Sequence, residues 1–308
     1  MKSYHRNNMI LLARHHYEQG ELVKAKNLYE KAINSGILDT DWMLELALLY
    51  DELEVYEQAD SIYDRVIELK PDESVAYYGK AILLDHMDQF EQAIPWYLKA
   101  IKYDASFMKA HFFLAYAYDQ IDDKAAALRS YKEALKLEPS DFWTHLNLSH
   151  LYEEEKDYVK ARQHIERAMA TDSEHYMAWF NKGVVEMRVG EMTEAAKAFD
   201  KVIELMPDYG YAYLNKGIIL RDQGFVEEAI KVFSQGLLAK PEAVYLKYNR
   251  ACCHQRLNEE VLAYNDLIRI LDERPDMADY MYNDQELAQL IASKADLKKR
   301  LILLLKDK

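Results

Sequence analysis

Apolar and polar positions along this chain alternate with a helical period, and the helical stripes themselves repeat every 34 residues. Alanine stands at Ala25, Ala59, Ala93, Ala127, Ala161, Ala195, Ala229 and Ala263, with no insertion or deletion between successive copies. Twelve residues before each lies a second small residue: Ala13, Ala47, Ala81, Ala115, Ser149, Gly183, Gly217 and Ala251. Four residues after each comes a large side chain: Tyr29, Tyr63, Tyr97, Tyr131, Ile165, Phe199, Phe233 and Leu267. Small residues let two helix backbones approach, and a large neighbour fills the space left over, so each period predicts a pair of helices packed knob into hole. Pro71, Pro139, Pro207, Pro241 and Pro275 share a further column, where the second helix must stop before the next period begins. Pro95 falls instead inside an expected second helix, near its start, where a slight bend is expected.

Eight such units begin near Arg6, Thr40, Ser74, Met108, Phe142, Tyr176, Gly210 and Val244. The unit resembles the tetratricopeptide repeat, a helix–turn–helix with small residues, an aromatic and a closing proline at these spacings. The family's early Trp position is filled by Trp179, Tyr77 and Tyr213, with His111, His145 and Lys247 as departures, and the closing proline is lost at Ile37, Ala105 and Ser173. The strings YNRACC and MYNDQELAQL are similar to the ends of many bacterial arrays. The resemblance implies an all-α, right-handed superhelical solenoid of the bacterial eight-repeat type, with the first helix of each unit lining a concave face. Residues 1–275 would form the repeats. Residues 276–308, with Leu287, Leu290, Leu297, Leu301 and Leu304 at helical spacing, would form capping helices, because a terminal unit cannot bury its outer face alone.

Each first helix spends its fourth, seventh, eighth and eleventh positions on the core. The second, fifth, sixth, ninth, twelfth and thirteenth form another stripe at helical spacing, which should line the groove. The sixth position carries Asn147, Asn181, Asn215 and Asn249 in consecutive units. An Asn amide donates and accepts together, so such a ladder can pair with the backbone of an extended peptide without reading its side chains. The other reading of the ladder is ordinary repeat consensus, with Asn solvated or bonded to its own neighbours. Around it lie Trp143, Phe180, Tyr211, Tyr245 and Tyr248, and toward the N-terminus Tyr78, Phe112, Phe113 and Tyr116, rigid groups suited to anchoring a partner. Acidic residues gather on the stripe in units two to five, among them Asp41, Glu45, Asp51, Glu52, Asp85, Asp119, Glu153 and Glu154, with Lys109 the only cation. Units six to eight carry Arg188, Arg221 and Arg256. A partner with a basic segment toward the N-terminal units and a neutral or acidic one toward the C-terminal units is the expected complement. The carboxylate clamp of some tetratricopeptide domains needs Lys at the fifth position and Asn at the ninth, and no unit here offers that pair.

Charge and composition narrow the function further. A formal net charge of -14 disfavours nucleic acid and anionic lipid as partners, and no apolar run is long enough to insert in a membrane. The two cysteines, Cys252 and Cys253, are adjacent, where a disulfide would be strained and close no useful loop, which fits a reducing cytoplasm. Neither the His and Cys spacings of metal sites nor a phosphate-binding or nucleophile-elbow motif occurs. The sequence therefore predicts neither a cofactor nor catalysis.

The reading that follows is a cytoplasmic protein-interaction scaffold holding an extended peptide segment of a partner in its groove. One alternative is a non-catalytic assembly factor that works through its convex face or C-terminal helix. Another is a receptor for a signalling peptide, although the repeats begin within the first ten residues and leave no room for an effector domain. The string ADLKKRLILLLKDK, basic in an acidic chain and apolar over Leu301 to Leu305, is read first as a cap and second as a surface for homo-oligomerisation.

Overall fold

The columns of the 34-residue period become the core of the computed structural model, which describes residues 2–35 and 39–306, with side chains from Asn7 onward. Ile37 lies outside the described residues. Among the described residues there are nineteen α-helices, a single 3-10 turn and no strand. The chain divides into two compact units, residues 1–144 and 145–308. In the first, α1 (Lys2–Glu18) pairs with α2 (Leu22–Asn34), α3 (Thr40–Glu52) with α4 (Tyr56–Leu69), α5 (Ser74–His86) with α6 (Phe90–Tyr103), and α7 (Met108–Gln120) with α8 (Lys124–Leu137). The division falls inside α9 (Phe142–Glu154), which is followed by α10 (Tyr158–Thr171). In the second unit α11 (Tyr176–Arg188) pairs with α12 (Met192–Leu205), α13 (Gly210–Asp222) with α14 (Val226–Ala239), and α15 (Val244–Arg256) with α16 (Glu260–Glu273). The 3-10 turn Pro275–Met277 then leads into α17 (Ala278–Asn283), α18 (Ala288–Ser293) and α19 (Ala295–Lys306).

The alanine column is wholly buried in every repeat, and Tyr63, Tyr97, Tyr131, Phe199, Phe233 and Leu267 are among the largest side chains shut away from solvent. The fit between columns is tight. A Cβ built on Gly183 would stand 2.7 Å from the Phe199 ring, and one on Gly217 would stand 2.2 Å from Phe233. Glycine is there to let a ring touch backbone. Helices pack chiefly on their neighbours in sequence, with additional packing of α3 on α5 and of α13 on α15.

Two local devices recur with the repeat. The turn inside each pair holds one residue at positive φ, namely Gly20, Glu54, Asp88, Asp122, Lys156, Gly190, Gly224 and Asn258. Glycine fills only three of these places, so five L-residues carry the strain of the left-handed region. The fourth residue of the first helix reaches back six residues to a carbonyl of the preceding turn. Tyr77 donates to Pro71 at 3.0 Å, Trp179 to Ser173 at 2.8 Å and Tyr213 to Pro207 at 2.9 Å. His111 Nε2 meets Ala105 at 3.2 Å in the same way, so a ring with an N–H or O–H at its tip does the work that Trp does elsewhere. His145 lies instead 2.9 Å from His164, and Lys247 donates to Glu273. Helix α6 continues through Pro95 without a break.

The tail covers the last pair. Leu287, Leu290, Leu297 and Leu301 are fully buried in one cluster with Leu267, Ile270 and Met281, and Leu304 packs at its edge. Ion pairs from Arg300 to Asp272 at 2.6 Å and from Lys294 to Glu260 at 2.8 Å hold it to α16. The apolar face of α19 is thus turned into the cap, leaving Leu303 as its large exposed apolar residue.

Candidate functional site

On the first helices of the N-terminal unit, residues at the second, fifth and sixth positions converge on a cleft of about 500 Å³. Its walls are Tyr78 of α5, Met108, Lys109, Phe112 and Phe113 of α7, and Asp141 and Trp143 at the start of α9. The rings are set from behind by the core. Phe112 meets Tyr131 edge-on at 5.6 Å, and Phe113 stacks on Tyr97 at 6.5 Å and meets Tyr78 edge-on at 6.0 Å. Asp141 caps α9 by accepting from the Thr144 amide at 2.7 Å, which fixes the helix start that carries Trp143. Trp143 itself is 49% exposed, a large apolar surface held open to solvent at the cleft mouth.

A row of carboxylates runs beside this cleft at the twelfth position of α3, α5 and α7. Asp51 is bonded to His86 at 3.0 Å, and burial raises it above the ordinary carboxylate range. Asp85 accepts from the Tyr97 hydroxyl at 2.5 Å, while its other oxygen is buried with no hydrogen-bond partner among the described residues. Burial pushes Asp85 up to about 6, against the opposing pull of the Tyr97 bond and His86. Burial and the charges of Asp85 and Asp51 raise the Tyr78 phenol, and burial with Asp85, Asp88 and Asp119 raises that of Tyr116, so these rings stand between the carboxylates. Tyr116 also packs edge-on against Phe90 at 5.9 Å. Glu45, in contrast, is neutralised inside the protein by Arg14 and accepts from Tyr29 at 2.6 Å.

In the C-terminal unit the asparagine column is partly engaged. Asn181 donates to Ser149 Oγ at 3.2 Å, and Asn249 donates to its own helix at Tyr245 while accepting from Arg221 at 3.0 Å. Asn147 and Asn215 are half-buried on α9 and α13. Phe180 meets Tyr209 edge-on at 5.1 Å, and with Asn181, Arg188 and Glu153 it lines a hollow of about 240 Å³. Tyr211 and Tyr245 stack face to face at 5.0 Å and 3°, with Tyr211 exposed.

Two expectations need correction. Tyr248 is 8% exposed, donating to Asp284 and packed on Tyr280, so the cap has absorbed the ring and it is not a surface anchor. The arginines of the later repeats do not form an uncompensated basic face. Arg188 pairs with Glu153 at 2.7 Å, Arg221 with Asp222 at 2.8 Å and Arg256 with Glu286 at 2.5 Å. Glu153 and Asp222 stand on the same stripe as the arginines they pair with, and only Glu286 arrives from the tail.

The couple of Tyr97 with Asp85 was also missed, although the sequence carried a signal for it. The large-residue column holds Tyr in its first four repeats and Phe in the sixth and seventh, and a buried phenol needs a polar partner that Phe does not. Burial raises the thiols of Cys252 and Cys253 to about 12 and about 11, opposite to an activated nucleophile. Among the described residues no group of three His, Cys, Asp or Glu side chains could hold a metal ion, and no helix is long and apolar enough to cross a membrane.

Models of the tetratricopeptide repeat family match residues 43–77, 74–107, 109–141 and 146–210, together more than half of the chain. No curated protein matches. Among solved structures, a tetratricopeptide repeat protein from Parabacteroides merdae is similar with a TM-score of 0.63 at 15% identity, over 86% of this chain and 98% of that one. The anaphase-promoting-complex assembly Cut9–Hcn1 gives a TM-score of 0.61 at 17% identity, over 91% of this chain but only 52% of that one. YrrB, described as a tetratricopeptide repeat protein with an unusual peptide-binding site, gives 0.50 at 21% identity, over 60% of this chain and 95% of that one. At these identities the likeness is one of fold.

Proposed function

Because the chain belongs to the tetratricopeptide repeat family, we propose that it is a non-catalytic, cytoplasmic interaction scaffold that holds an extended segment of a partner protein against the first helices of its repeats. Residues 1–275 would present the binding face and residues 276–308 would close the hydrophobic core behind the last repeat. The observation that carries this reading is the aromatic cleft of about 500 Å³ with half-exposed Trp143 at its mouth, a concave, ring-lined surface of the kind that takes an apolar side chain of a partner. The description of YrrB as having an unusual peptide-binding site adds an instance of peptide binding by the same fold. Asn147, Asn181, Asn215 and Asn249 would contribute backbone contacts in the later repeats, with Asn181 and Asn249 first exchanging their internal bonds for those of the segment.

Affinity capture from cell lysate tests the proposal, comparing the wild-type chain with Trp143→Ala and with the fourfold Asn→Ala variant. Partner segments would be mapped by proteolysis on the support. A segment retained by wild type and lost from Trp143→Ala is the expected result. The same partners on wild type and both variants would refute groove binding and move attention to the second helices and the tail.

A further inference from the structure

Granting a groove that binds peptide, the N-terminal unit also specifies the chemistry of its occupant. We propose that the cleft and carboxylate row together select a segment that carries a large apolar anchor and arginine or lysine residues spaced about three apart. The apolar requirement comes from the cleft, where four rings and Met108 stand with Lys109 and Asp141. The basic requirement comes from Asp51, Asp85 and Asp119, which sit at equivalent places on α3, α5 and α7 and are interleaved with Tyr78 and Tyr116.

His86 is bonded to Asp51 in the row, and Lys109 lines the cleft. Asp85, beside low-polarity ring surfaces and with Asp51 and Asp119 at equivalent places on α3 and α7, sets up a negative potential that a cationic segment would answer, and the intervening rings add cation–π attraction. Asp85 contributes a second argument. One of its oxygens is served by Tyr97, and the other is an acceptor that no described residue of the protein serves. A chain that holds an ionisable group in so poor a setting loses stability by it, and a cation brought beside the group from outside lowers that cost through its charge.

The spacing follows from geometry. Packed helices lie roughly 8–10 Å apart, and a segment in the polyproline II conformation makes one turn in about three residues with a rise of roughly 3.1 Å each, so every third side chain returns to the same face about one carboxylate further on. The anchor belongs at the α7–α9 end of the row, where Phe112 and Trp143 face the cleft.

A random-peptide display selection on the full chain provides the probes. Enriched sequences should combine one large apolar residue with basic residues at three-residue spacing. The best of them, labelled with a fluorophore, is then measured beside its citrulline analogue, which keeps the shape of arginine without its charge. Weakening by about tenfold or more is expected on citrulline substitution and again on the isosteric Asp85→Asn/Asp119→Asn variant, with circular dichroism showing unchanged helix. Enrichment of neutral or acidic peptides would overturn this inference, as would equal affinity for the arginine and citrulline probes. If such probes are still lost on Trp143→Ala, the groove reading survives without the charge rule. If nothing is enriched on wild type over the bare support, or if Trp143→Ala binds every probe as wild type does, the groove reading falls and this inference with it.

Discussion

Asp85 should destabilise the protein at neutral pH, and replacing it should make the chain more stable. Its carboxyl is raised from an ordinary 3.8 to about 6 in the folded chain, chiefly by burial. Between those values the native state keeps a proton that the unfolded chain has already released, so stability falls as pH rises through the window and the full penalty stands above about pH 6. A shift of about two units corresponds to at most ~3 kcal/mol at ~1.4 kcal/mol per unit, and the partial exposure of the residue reduces this to about 1–2 kcal/mol. Asp85→Asn removes the charge while keeping an oxygen for the Tyr97 hydroxyl, so the packing of α5 on α6 is preserved. Urea unfolding followed by helical circular dichroism should show the variant more stable by about 1–2 kcal/mol at pH 7.5, with the gain fading toward pH 4. Other carboxylates titrate in the same range, but they cancel in the difference between the two proteins. A variant less stable at pH 7.5, or a gain independent of pH, would refute the reasoning.

Further outcomes follow from other parts of the fold. Gly217→Ala should lower stability by about 1 kcal/mol despite the better helix propensity of alanine, because the new methyl would stand 2.2 Å from the Phe233 ring; thermal melts check it, and a raised melting temperature would contradict the packing. Glu54→Gly and Lys156→Gly should each stabilise by about 0.5 kcal/mol by relieving positive φ, after allowance for the freer unfolded chain, and a loss in either would show the turn to be unstrained. Cys252 and Cys253, buried and raised to about 12 and about 11, should react with an aromatic disulfide reagent at pH 8 only as fast as the C-terminal repeats open, and at once in denaturant. Rapid labelling of the native chain would remove that account.

The repeat was legible because it is written in side-chain volume. The alanine column and its large partner column need no knowledge of the environment to predict contact, and both are buried as their sizes demand. Sequence reading failed where a side chain's partner comes from a different helix. Arg14 reaches Glu45 across to the next repeat, Tyr97 reaches Asp85 from the second helix of its pair, and Asp284 of the tail draws Tyr248 inward. Tyr248 looked like a groove ring because its position in the helix is the same as that of Phe112 and Phe180, and only the cap distinguishes it. His111 shows the opposite error. Counted as a departure from consensus, it meets the Ala105 carbonyl much as Trp179 meets that of Ser173.

The habit of each helix of packing on its neighbours in sequence has a consequence in time. Contacts between near neighbours close short loops, so within each compact unit a helix pair can form before the distant parts of the chain have met. Folding can start wherever local packing is best and spread outward, and a defect in one pair is felt most by the pairs beside it. The exposed residues of the first helices can therefore vary one repeat at a time while the rest of the array continues to fold, so that the surface of a repeat array can change by small steps.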